Sequence, residues 1–219
     1  MRRVLEIYQY LGPALLTPLS LWLWWQRYQA WAPALVAWLV PILWAYIVPA
    51  VGTNVLKVWE FDVRFKLGRF RPHHGFVFGS ATSMLALLVH TNPAHGTLDV
   101  VKTSLILTCV LGWINLLYDI KALECGLLKV YNQPWAEGKA ASDVALDYAP
   151  WFFGGFGACY GAGLALMEWR WVDELTMAGV LPLTLKLLSA TIVVPVGGYV
   201  LQSKVRHGHW GVWPVERIR

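Results

Sequence analysis

Long apolar runs separated by short polar segments dominate the chain. Six of these runs have the length of transmembrane helices and fall at about residues 11–26, 33–52, 75–92, 103–119, 149–168 and 180–201. A helix needs about 20 mostly apolar residues to cross a hydrocarbon core of about 30 Å. The pattern predicts an all-α, polytopic integral membrane bundle of about six transmembrane helices, which forms a single domain over residues 1–219.

Composition agrees with this prediction. Of the 219 residues, 57% are hydrophobic and 14% are charged, whereas a typical soluble domain carries about 25% charged residues. Cys109, Cys125 and Cys159 are far apart and form no Cys-x-x-Cys pair. We therefore expect neither a disulfide framework nor a zinc knuckle.

Basic residues are distributed unevenly between the two predicted sides of the membrane. With the N-terminus inside, the inner segments hold 14 Lys and Arg residues and the outer segments hold three. Because basic residues favour the cytoplasmic side, both termini are expected in the cytoplasm, and the expected location is the cytoplasmic (inner) membrane. The net charge of +5 then indicates contact with anionic lipid headgroups rather than with nucleic acid.

The segment WEFDVRFKLGRFRPHHG, residues 59–75, is unusually polar for this chain. Its basic residues alternate with Phe65, Leu67 and Phe70, which is typical of an amphipathic segment in the headgroup layer. The alternative is an anion clamp, since the planar guanidinium binds phosphate well. The residues expected to bind a charged substrate in that case are Arg64, Arg69 and Arg71.

Glu60 suggests a different chemistry. It follows Trp59 directly, and a carboxylic acid at the rim of an aromatic pocket can protonate an alkene or epoxide. Tryptophan faces would then stabilise the cation.

Two further segments carry carboxylates at helical spacing. Asn115 and Asp119 are four residues apart, as are Asp143 and Asp147, and Glu124 follows the first pair. Residues four apart share one helix face. One interpretation is a solvated face paired with arginines of the first loop, and the other is a site for Mg²⁺ and a substrate phosphate.

The remaining signals are less specific. Adjacent His73 and His74 point to different helix faces and make a poor chelating pair. Lys186 lies inside the last run and either extends to the outer surface or pairs with Glu168. Small residues four apart in residues 152–163 allow close helix contact, either within the bundle or with a partner subunit through the face of Gly157 and Gly161.

Most of the polar residues lie on the predicted cytoplasmic side. This favours an enzyme that acts on a lipid or isoprenoid substrate at the cytoplasmic interface, as a transferase or cyclase. The residues expected to supply acid–base groups or to bind metal are Glu60, Asp119, Glu124, Asp143 and Asp147, and Asn115 joins the arginines in substrate binding. The alternative is a non-catalytic subunit or assembly factor of a larger membrane complex, and a small transporter is less favoured. An enzyme should bring its acids to a cavity, whereas a subunit should have them already paired with bases.

Overall fold

Helices dominate the computed structural model, which describes residues 1–217. The six longer helices are α1 (Arg2–Tyr28), α2 (Trp31–Ala50), α3 (His74–Val89), α4 (Thr97–Glu124), α7 (Phe156–Arg170) and α8 (Met177–His207). Two short helices are α5 (Gln133–Ala136) and α6 (Ala141–Leu146), and π-helical segments cover Val51–Val55 and Pro150–Gly155. The predicted helical class is confirmed, and each of the six predicted runs overlaps one of the longer helices.

One element departs from the all-α prediction. Strands β1 (Trp59–Phe61) and β2 (Leu128–Val130) form an antiparallel two-stranded sheet, in which Glu60 lies opposite Lys129. The backbone N–H of Asp62 also donates to the carbonyl of Leu127 at 2.9 Å. These bonds fold residues 59–75 back against the segment that follows α4.

The longer helices alternate in direction, so the bundle has two distinct ends. We call the end with β1 and β2 the sheet end; Arg2, at the start of α1, reaches it through Asp62. The opposite end holds Arg27, His90 and Glu168, which lie at the last turns of α1, α3 and α7. Most of the chemically interesting residues lie at the sheet end.

Within residues 1–217, three helices are long and apolar enough to cross a membrane: α2 with its π-helical extension (Trp31–Val55), α4 and α8. In the most apolar 18-residue windows of α4 and α8, only 17% and 28% of the residues are buried. Apolar side chains on these helices therefore face outward, as they do where a helix contacts lipid. The protein is accordingly membrane-embedded.

The helix pair α4–α7 makes an unusually close contact. A Cβ atom added to Gly157 would lie 2.4 Å from the carbonyl oxygen of Leu107, and one added to Gly161 would lie 2.7 Å from that of Thr103. Both glycines are buried against α4 of the same chain. The two glycines therefore allow close helix packing inside the bundle, which is one of the two alternatives raised by the sequence.

Candidate functional site

A cavity lies at the sheet end, enclosed by α1, α2, α3, α4, both strands and the segment before α7. Its volume is about 110 Å³, somewhat less than the ~150 Å³ of an engineered cavity that binds benzene. Ile114 of α4 lines it and is 43% exposed, and the lining residues Ala81 and Leu85 of α3 are partly exposed. The cavity therefore approaches the outer apolar surface between α3 and α4.

Aromatic rings form a large part of the cavity wall. Trp44 and Phe78 have ring centroids 5.7 Å apart, and Phe78 packs at the same distance on Phe153. Trp59 meets Phe152 edge to face at 5.2 Å. Such a wall suits an apolar ligand and presents ring faces to any positive charge that develops inside it.

Arg71 brings a buried positive charge to this wall. The residue is 1% exposed, lines the cavity and lies immediately before α3, where its guanidinium carbon is 5.0 Å from the centre of the Phe61 ring. Its Nη1 donates to Oε1 of Gln9 at 3.3 Å, and its Nη2 donates to Nδ1 of His74 at 2.7 Å. Because arginine is always a donor, His74 accepts here and is neutral, with its proton on Nε2. Gln9 and His74 therefore hold the guanidinium in place without neutralising it.

A carboxylate faces the same cavity from α4. Asp119 accepts a hydrogen bond from the hydroxyl of Tyr148 at 2.6 Å, and both side chains line the cavity. Asn115 lies one turn earlier on the same face, with its amide donating to the carbonyl of Leu111 at 2.9 Å. The shared face expected from the four-residue spacing therefore points into the cavity.

Glu60 lies outside the cavity, on the surface of the sheet. It accepts from the hydroxyl of Tyr131 at 2.9 Å and lies 3.4 Å from the ammonium of Lys66. The Tyr131 hydrogen bond, reinforced by Lys66, holds the pKa of the Glu60 carboxyl below its usual value. Its neighbour Trp59 does line the cavity, since successive strand residues point to opposite faces.

Asp147 and Asp143 do not form a joint cation site. Asp147 is 3% exposed and lies 2.8 Å from Nε2 of His207 and 3.7 Å from Arg206, and it also accepts from Asn132 at 3.1 Å. Asp143 is exposed. The expectation that arginines of the first loop partner these acids was wrong for Asp147, because its bases come from the end of α8.

The other predicted residues lie at the surface. Glu124 forms an exposed ion pair with Lys121 at 2.8 Å, and Arg64 is exposed. Arg69 donates to the carbonyl of Lys57 at 3.0 Å and lies over the Tyr131 ring. Within residues 1–217, no three His, Cys, Asp or Glu side chains are close enough together to hold a metal ion. The described donors therefore do not fit a Mg²⁺ site built by the protein alone.

A second buried charged cluster occupies the opposite end. The carboxylate of Glu168 accepts hydrogen bonds at 2.7–3.1 Å from four donors: Nε of Arg27, the hydroxyl of Tyr28, Nε2 of His90 and the backbone N–H of Ala94. The suggested pair between Glu168 and Lys186 was therefore wrong, and Lys186 is exposed.

A second cavity, with a volume of about 160 Å³, lies between α2, α8 and the C-terminal segment around residues 209–215. Trp59, Val130 and Phe152 line both cavities and so separate them. Gly52 makes room for this partition, since a Cβ atom there would lie 2.4 Å from the Trp59 ring.

Comparisons with protein-family models, with curated proteins and with solved structures find no match to this chain. Its function must therefore be argued from the site. Sequence reasoning missed two residues that line the cavity, Tyr118 and Tyr148, and Gln9, which accepts a hydrogen bond from Arg71. Tyr118 lies three residues after Asn115, so helical spacing could have placed it on the same face, and Gln9 is a polar residue next to the first apolar run.

Proposed function

We propose that the protein is an integral membrane enzyme that acts on a lipid or isoprenoid substrate in the aromatic cavity. The observation that carries this proposal is the Asp119–Tyr148 pair, which faces an apolar cavity that approaches the outer surface of the bundle. A hydrophobic substrate in the bilayer would enter between α3 and α4.

The membrane arrangement is part of the same proposal. The six longer helices all span the bilayer, both termini are cytoplasmic, and the sheet end lies at the cytoplasmic face of the inner membrane. The alternating helix directions and the 14-to-3 distribution of basic residues support this arrangement.

The proposed reaction is an acid–base rearrangement of a carbon–carbon double bond. Asp119 as a carboxylic acid gives its proton to the double bond, and the resulting carbocation is stabilised by the faces of the surrounding rings. Loss of a proton from a neighbouring carbon to the Asp119 carboxylate yields an isomerised or cyclised product. Tyr148 holds the carboxyl in place, and no redox partner is needed.

This reaction is favoured over metal-dependent transfer because the carboxylates of the described residues do not converge. Glu60, Glu124 and Asp147 already have basic or hydroxyl partners, as expected of acids with a structural role. Asp119 differs, since its single described partner is the hydroxyl of Tyr148 and it lines the cavity. The choice between an enzyme and a non-catalytic subunit therefore depends on this one carboxylate.

The test is deuterium incorporation. The purified protein is incubated in D₂O with a lipid extract of its native membranes, and the lipids are then searched by mass spectrometry for new deuterium. Wild-type protein should label one lipid class, Asp119→Asn should lower the rate about 10²-fold or more, and Tyr148→Phe should lower it about tenfold.

Asp143→Asn is the matched control, because it makes the same chemical change at an exposed position outside the cavity. Its rate should equal that of the wild type. Labelling that is absent, or that does not depend on Asp119, would contradict the enzyme proposal and favour the non-catalytic subunit.

A further inference from the structure

The buried guanidinium of Arg71 has no charged partner in the part of the chain that the structure describes. None of the ion pairs among residues 1–217 includes it. Its two hydrogen-bond partners, Gln9 and His74, are neutral. An isolated charge removed from water is costly unless an opposite charge compensates it.

Two donors beside the cavity are also unused. Nε of Arg71 is buried without a hydrogen-bond partner in the described structure. Tyr118 lies beside Arg71, close enough to interact with its guanidinium, but its hydroxyl makes no bond of regular hydrogen-bond geometry and is likewise buried. Buried donors normally have hydrogen-bond acceptors. Nε of Arg71 and the Tyr118 hydroxyl lack one and lie next to an unpaired cation, which indicates a missing acceptor with negative charge.

The Asp119 carboxylate does not supply this acceptor. It lines the same cavity, but it forms no ion pair with Arg71 and accepts its hydrogen bond from Tyr148. The Asp119 carboxyl and the Arg71 guanidinium therefore face the cavity as two separate polar groups, and the guanidinium still lacks an anionic partner.

We propose that Arg71 and Tyr118 bind the phosphate or carboxylate group of an anionic amphiphile whose hydrocarbon chain lies along the aromatic wall. This inference rests on the function proposed above and names its substrate class. The cavity of about 110 Å³ holds only the part of the molecule nearest the anionic group. The rest of the chain leaves between α3 and α4, past Ile114.

The test is a binding measurement in a non-ionic detergent with four probes: dodecyl phosphate, dodecanoate, dodecanol and inorganic phosphate. Affinities are obtained by isothermal titration. Dodecyl phosphate or dodecanoate should bind wild-type protein more tightly than dodecanol does. Arg71→Met should weaken that binding by about 10–100-fold, the range for a hydrogen bond to a charged group.

Arg64→Met is the matched control, because it removes the same charge from an exposed position of the same loop. It should leave binding unchanged. Arg71→Lys keeps the charge without the planar guanidinium and should lose less binding affinity. It replaces the Met variant in this test if the Met variant does not fold.

Three results would overturn the inference. The first is equally tight binding of dodecanol, which would indicate a purely apolar pocket. The second is an equal loss in Arg64→Met, which would indicate general surface attraction. The third is inorganic phosphate binding as tightly as dodecyl phosphate, since the ligand would then be a free anion.

The same experiment separates this inference from the enzyme proposal. Asp119→Asn should retain amphiphile binding while it loses deuterium incorporation. Binding that depends on Arg71 without any turnover would contradict the enzyme and leave an anion-binding membrane protein. Turnover that depends on Asp119 but not on Arg71 would contradict the anion-binding inference and leave the enzyme proposal in place.

Discussion

Arg27 and Arg71 are two largely buried arginines at opposite ends of the bundle. Arg27 pairs at 3.0 Å with Glu168, whose carboxylate also accepts from Tyr28, His90 and Ala94. Arg71 has two neutral partners and an unused Nε. The charge of Arg27 therefore has a carboxylate beside it, although its Nη2, like Nε of Arg71, has no partner of hydrogen-bond geometry. The charge of Arg71 has no carboxylate within ion-pair distance among the described residues.

This difference separates a structural cluster from a binding site in terms of energy. A buried ion pair stabilises a fold only when its remaining donors and acceptors are satisfied, and removal of one partner is then costly. A buried cation without a counter-ion lowers the stability of the ligand-free protein. Binding of an anionic ligand then raises that stability. Mutation should therefore lower the free energy of unfolding much more at the opposite end than at the sheet end.

The largest effect is expected at the opposite end. Glu168→Ala removes the carboxylate that pairs with Arg27 and His90 and should lower the free energy of unfolding by about 3–5 kcal/mol. The measurement is the midpoint of denaturant unfolding in detergent, with the exposed Asp143→Ala as the control. A midpoint equal to that of the control would show that the cluster around Glu168 contributes nothing to the free energy of unfolding.

A smaller loss should follow when the same cluster is disturbed through the backbone. Gly161→Ala would place a Cβ atom 2.7 Å from the carbonyl oxygen of Thr103, the residue whose hydroxyl contacts His90. Overpacking of this kind costs about 1–3 kcal/mol.

Gly197→Ala in α8 is the control for this substitution, since nothing lies within 4 Å of an added Cβ atom. It should be neutral or stabilise the helix by up to about 1 kcal/mol. Equal thermal stabilities of the two variants would contradict the close α4–α7 contact.

At the sheet end, Arg71→Met should change the free energy of unfolding by about 1 kcal/mol or less in the ligand-free protein. The loss of its bonds to Gln9 and His74 is offset by removal of the uncompensated charge. Arg27→Met, measured alongside, should cost several times more. If both variants lose the same stability, the comparison between the two ends fails and Arg71 is structural.

The smallest effect is expected at Glu60, which lies outside the cavity. Its depressed pKa means that the folded state favours the carboxylate, so its contribution is present above the ordinary glutamate value and is lost as the pH falls below it. Glu60→Gln should cost about 0.2–1 kcal/mol at pH 7, with no difference from wild type in acid. Its rate of deuterium incorporation should equal that of the wild type, and a large loss would restore Glu60 as a catalytic candidate.

The sequence predicted the helical framework well because apolar runs carry that information directly. The face shared by Asn115 and Asp119 was also predictable from helical spacing. The pairing of β1 with β2 was not, because each strand has three residues and the contact joins distant parts of the chain. Arg64, Arg69 and Arg71 look alike in the sequence, yet only Arg71 is buried at the cavity, and that difference arises from the turn at Gly68 and the start of α3.

The two-stranded sheet also determines when the cavity can form during folding. Glu60 and Tyr131, whose side chains form a hydrogen bond beside it, are 71 residues apart in the sequence. Contacts of such long range close late because loop entropy opposes them. Arg71 is synthesised well before α4, Tyr148 and Phe153 exist to enclose it. A nascent chain that ends after α3 therefore carries the cation without the wall, and the cavity is complete only after α4 and the start of α7 have packed.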